Sequence, residues 1–208
     1  MADYPFKLSD ARLQAEIERA VDQEGKIPAA LEALGPMAGQ RVVLLDGDRR
    51  VRAAQLEELG ARVSVVPGLS MSGLPRGLAD AVVSCWAGFR GGSPDTEAQI
   101  REAELVLRPG GRLLVVHDYG RDDVSLLLDD EAREHDQVAW SRRDGWFLVH
   151  DFKVRVLHCW WTFETLEQAH DLLVQGFGPP GTFVSQGLRR PRLEYKVAVY
   201  HRTLGEAS

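Results

Sequence analysis

Two places in the sequence hold side chains whose types and spacing could do chemistry. In "RVVLLDGDRR" (41–50) an apolar run breaks at Asp46, Gly47 and Asp48, and Arg49 and Arg50 follow at once. In "RLLVVHDY" (112–119) a second apolar run ends in His117, Asp118 and Tyr119. A histidine among carboxylates at strand ends suits general-base catalysis or the holding of a divalent cation. An aspartate that comes first after a strand also suits acceptance of a phosphoryl group. Each chemistry requires the side chains to converge. The plainer reading is that strand ends are where polar residues resume.

The elements that must position these residues follow from periodicity. An amphipathic helix is expected over 9–22 with Ser9 as its cap, and a short helix over 28–34 that stops at Gly35-Pro36. A buried strand at 41–46 leads into a helix at 50–59, a strand at 62–67, a Gly/Ser/Pro stretch at 68–77 and a strand at 80–89. Ser93 and Pro94 open a helix that ends before "RPGG" (108–111), and the strand 112–119 follows. The acidic stretch 120–136 reads as loop and helix, with Asp129, Asp130 and Glu131 as a solvated helix start, and a further helix lies around 141–150. Then come a strand at 153–163, a helix at 164–175, a turn at "GFGPPG" (176–181) and a strand at 194–202. Strands alternating with helices predict an α/β fold with a mostly parallel sheet covered on both faces. A single domain is expected over 1–208, with N-terminal helices in 1–40 and the α/β core in 41–203.

Composition narrows the function classes. The chain has 208 residues, 44% of them hydrophobic and 27% charged, the balance of a globular protein. No apolar run is long enough to span a bilayer and no signal-peptide pattern opens the chain, so a cytoplasmic location and no membrane partner are expected. A net charge of −6 argues against nucleic acid held by a general basic field, and the cluster "LRRPRLEYK" (188–196) reads as a solvated loop. Cys85 and Cys159 lack metal-ligand spacing and read as buried apolar residues; no metal site is expected from them.

The segment "LRPGGRLLVVHD", with "LADAVVSCWAG" upstream of it and a final strand–helix–strand, resembles the class I S-adenosylmethionine-dependent methyltransferase family over roughly residues 27–203. The resemblance implies a Rossmann-like parallel sheet with an antiparallel last strand, and a ligand at the carboxyl ends of the strands. It also implies S-adenosylmethionine as cofactor, in a pocket formed by Asp46, Gly47, Asp48, Arg50, Pro67 and Trp86. At those positions the chain departs from the family. The three glycines of the cofactor turn read Asp46, Asp48 and Arg50, and carboxylates there repel the cofactor's own carboxylate. The ribose-binding acid at the end of the second strand is Pro67, which has neither carboxylate nor N–H. Residues 68–78 replace a helix and a further strand, so one βα unit is missing, and with it the loop that reads adenine.

The leading expectation is a methyltransferase-fold protein with a degenerate S-adenosylmethionine site that binds another small molecule or a protein. The alternative is an active methyltransferase with an atypical cofactor site and His117, Asp118 or Tyr119 near the methyl acceptor. More remotely, Asp46-Gly47-Asp48 resembles the start of haloacid-dehalogenase-like phosphohydrolases, although their later Ser/Thr and Lys partners are lacking. Trp86, with Phe89 nearby, stands where the family places substrate-contacting groups, and core packing explains it equally well. Strand alternation places His158 and Trp160 on one face of an edge strand and Trp161 on the other. That edge is a candidate protein contact, including a homo-oligomer, with packing under helices as the plainer reading.

Overall fold

A computed structural model describes residues 6–45, 51–89, 94–128 and 145–204. Asp46–Arg50, Ser93 and the acidic run 129–131 lie outside the described residues. The strands are β1 (Arg41–Leu45), β2 (Arg62–Val66), β3 (Ala79–Cys85), β4 (Leu107–Asp118), β5 (Lys153–Thr162) and β6 (Arg192–Thr203). The helices are α1 (Ala11–Ala20), α2 (Lys26–Ala33), α3 (Val51–Glu58), α4 (Pro94–Val106), α5 (Trp146–Val149) and α6 (Leu166–Gly187), with a 3-10 turn at Val124–Leu127.

The sheet order is β2-β1-β3-β4-β6-β5. β1, β2, β3 and β4 run parallel, and β6 is antiparallel to both its neighbours. This is the Rossmann-like methyltransferase arrangement, mostly parallel with an antiparallel last strand. β3 is buried along its whole length, as a strand covered on both faces must be, whereas the edge strand β2 alternates. One face carries α1, α2, α3 and α6 over Val42, Leu44, Val83, Leu114 and Val199. The other carries α4 and α5 over Val43, Leu45, Val82, Val115 and Tyr200.

β2 is an edge because nothing regular follows it. Residues 67–78 form neither helix nor strand. The segment is tied down by Glu102 of α4, which accepts the Met71 N–H at 2.6 Å, and by the Gly77 N–H on Leu105 O at 3.0 Å. Met71 is buried on the α4 face and supplies some of the apolar cover that a crossover helix would provide.

Several boundaries differ from the sequence expectation. Asp10, rather than Ser9, caps α1, accepting from Arg12 N and Leu13 N. α2 begins at Lys26, two residues before Pro28, because the Asp22 carboxylate accepts both Lys26 N and Ile27 N at 2.9 Å. β3 stops at Cys85, since Trp86 turns to φ 54°. β4 begins at Leu107: its register on β3 jumps from Ala79↔Leu107 to Ala81↔Arg112, so "RPGG" bulges out of the ladder, held by Gly110 N–H to Leu204 O at 2.7 Å. The "GFGPPG" stretch is helical on both sides of Gly178, whose φ of 59° and ψ of −131° break α6 into two segments.

Candidate functional site

In an open parallel sheet the ligand edge is the carboxyl ends of the strands, here Leu45, Val66, Cys85 and Asp118. Asp46, Gly47, Asp48 and Arg50 follow Leu45 directly and lie outside the described residues. Pro67 is exposed just past β2.

Trp86 is the best-defined group at this edge. Its N–H continues the ladder to Val116 O at 2.8 Å, and its ring, 4% exposed, joins the core beneath α1, α2 and α3. The indole Nε1 donates to Asp118 Oδ1 at 3.0 Å. From the first turn of α3 the buried Arg52 places its guanidinium carbon 5.2 Å from the ring centroid. Beyond it Gly88 and Phe89 also have positive φ, and Gln99 of α4 accepts the Phe89 N–H at 2.5 Å. "WAGF" is therefore a tight turn folded back into the protein, with Phe89 fully buried on the opposite face.

Alternation along β4 separates the three candidates at its end. Asp118 lies on the Trp86 face, where the Tyr195 hydroxyl also donates to Oδ1. Two protein donors thus occupy the lone pairs of that oxygen. Burial first, and then the Asp118 charge, pushes the Tyr195 hydroxyl well above its ordinary range, so it remains a donor. His117 is buried on the other face, its ring 6.0 Å from that of Phe147. Tyr119 packs on that same face, its N–H on Lys196 O at 2.8 Å. His117, Asp118 and Tyr119 therefore do not converge on one point, because neighbours in a strand face opposite ways.

Sequence reasoning missed a buried carboxylate beside this edge. Asp122 accepts Ser125 N at 2.8 Å and Lys196 N at 2.7 Å, and burial raises its pKa. It fixes the 3-10 turn to β6 and so positions the chain leaving β4. Tyr195 was legible only through the alternation of "EYKVAVY", and Arg52 carried no signal beyond its place in a helix's first turn. Among the described residues no group of His, Cys, Asp and Glu is arranged to hold a metal ion. Both cysteines are buried, as expected. No helix among the described residues is long and apolar enough to cross a membrane.

No protein-family model matches the chain, and no curated protein matches it in sequence. Solved structures do match. A candidate type II methyltransferase from Anaeromyxobacter dehalogenans is 15% identical with a TM-score of 0.53, the match covering 86% of this chain and 97% of that one. YcgJ from Bacillus subtilis is 12% identical with a TM-score of 0.53, covering 89% and 100%. A SAM-dependent methyltransferase from Aquifex aeolicus is 11% identical with a TM-score of 0.51, covering 94% and 98%. At these identities the likeness is one of architecture, and with the strand order it establishes that this chain has the class I methyltransferase fold.

Proposed function

We propose that this protein is a methyltransferase-fold binding protein whose standard S-adenosylmethionine site is degenerate, acting on another small molecule or a protein partner rather than by ordinary methyl transfer. The observation that carries this reading is Trp86. At the strand end where the fold's relatives place reacting or substrate-contacting groups, this chain has a ring turned into the core and fixed by Asp118 and Arg52.

The described residues fit the cofactor poorly. The ribose hydroxyls call for an acceptor at the end of β2, and Pro67 offers no side-chain acceptor and no N–H. The adenine calls for the loop of a βα unit that residues 67–78 do not form. At the end of β4, Asp118 Oδ1 already accepts from two protein groups, and His117 faces away from it.

Calorimetric titration of cofactor-stripped protein with S-adenosylmethionine and S-adenosylhomocysteine tests the proposal. The expected outcome is no heat of binding at millimolar ligand. Micromolar binding of either compound would overturn it and favour an active methyltransferase with an atypical cofactor site.

A further inference from the structure

β5 is an edge strand, and among the described residues its outer edge is covered over only half its length. Toward its carboxyl end Val21 bridges to Trp161, and Asp22 N–H donates to Trp160 O at 3.2 Å. The side chains of Gln23 and Lys26 donate to Thr162 O at 3.1 Å and to His158 O at 2.6 Å. The carbonyls used are those of alternate residues, so the outward backbone groups nearer the amino end belong to Val156 and Val154. Among the described residues those groups have no partner.

Beside this open half runs a groove of about 360 Å³, walled by Lys26, Ala29 and Ala30 of α2 and by Arg155–His158 of β5. The alanines let a backbone approach closely. The side chains that face the open half are basic, whereas the carboxylates at the groove are already engaged, Asp22 by the Lys26 N–H at 2.9 Å and Glu194 by His158 at 3.4 Å on the opposite face. Lys153 and Arg155 project on the α2 side, and neither forms an ion pair among the described residues. Lys153 stands opposite His201, whose pKa is lowered by burial first and then by Lys153 and Arg155.

We propose that the open half of β5 is a docking site for an extended acidic segment of a protein partner. The segment adds as a further strand, its backbone pairs with Val154 and Val156, and carboxylates on alternate residues meet Lys153, Arg155 and Lys26. A second copy of this chain fits badly. Antiparallel self-pairing clear of the covered half sets Arg155 against Arg155, or Lys153 against Arg155, and like charges directly opposite destabilise a pair. Shifting the register further requires the outer edge of His158, which Lys26 already occupies. Nucleic acid would use the charges but not the row of peptide donors and acceptors.

The test is titration of the full chain, followed by amide chemical shifts, with a short blocked peptide that alternates glutamate and threonine. Its lysine-for-glutamate counterpart and a version N-methylated on alternate residues of one edge serve as comparisons. The glutamate peptide is expected to bind with shifts centred on Lys153–Leu157, and one-edge N-methylation to weaken it roughly tenfold or more. Val156→Pro removes an outward N–H without taking a donor from the β6 ladder. That variant, and the double change Lys153→Glu with Arg155→Glu, should each weaken binding by a similar factor. No binding at millimolar peptide would overturn the proposal, as would equal affinity for the lysine peptide or for peptides N-methylated on either edge. Preferential binding of an RNA oligonucleotide at these residues, or a dimer that buries them in the free protein, would overturn it too.

Discussion

Trp86 combines a backbone conformation that bulky residues seldom adopt with a fully engaged side chain, so its surroundings must hold it there. Trp86→Ala should therefore cost about 3–5 kcal/mol of unfolding free energy in guanidinium titrations. Trp86→Phe, which keeps most of the volume but takes one donor from Asp118, should cost only about 1–2 kcal/mol. Equal stability of the alanine variant would mean that the ring is not a core element. Asp22 offers a test by pH. Burial, opposed by its two backbone hydrogen bonds, raises its pKa above the ordinary 3.8. The folded protein therefore binds more protons than the unfolded chain between 3.8 and the raised value. Across that window stability is greatest at the acid end and falls as pH rises. Asp22→Asn destabilises throughout, since an amide nitrogen would face Lys26 N–H or Ile27 N–H. Urea melts across the window should nevertheless show a smaller decline with pH than the parent chain. Of the candidate residues, the polar end of β4 was legible as a strand end. That Asp118 and His117 point apart is also fixed by alternation, whereas the partners Tyr195 and Arg52 come from distant segments that no local pattern connects.

α6 shows where element-level reading succeeds and where it stops. The Thr165 cap and the apolar spacing of Ala169, Leu172 and Leu173 announce its first segment, but two prolines after Gly178 read as a turn. The prolines instead begin a second helical segment, where a missing N–H leaves no donor unsatisfied. Gly178 supplies the break, and a Cβ there would meet nothing within 4 Å. The cost of Gly178→Ala is thus purely conformational, about 1–3 kcal/mol, and should appear as a lowered denaturant midpoint. Gly181 differs, because a Cβ would sit 1.8 Å from Leu173 O, backbone that cannot move aside. Gly181→Ala should destabilise more than Gly178→Ala, and the reverse order would contradict close docking of the two segments. In β4, likewise, the glycines of "RPGG" signalled a turn before the strand. The ladder in fact resumes around them as a bulge, because Gly110 and Gly111 bond to Leu204 at the far end of the chain.

At the scale of the whole molecule, the order and type of strands were readable, including the missing unit after β2. The alternation of apolar runs with helical periods carries that order. Which strands become neighbours was readable only through resemblance, since β6 pairs with β4 across the intervening β5 and α6. The sheet's two edges differ in kind, and hydrogen exchange should report it. Amides of β6, paired on both sides, should exchange slowest, and the outward amides of Val154 and Val156 fastest among the β5 residues. Equal protection along β5 would mean that its outer edge is covered in solution. The position of β6 also bears on synthesis. When a ribosome has released β5, both β4 and β5 still show bare edges, because the strand that joins them has yet to be translated. A premature stop before Arg192 would accordingly remove the middle of the sheet rather than its rim. The sheet must remain unclosed, and exposed to aggregation, until β6 itself has been made.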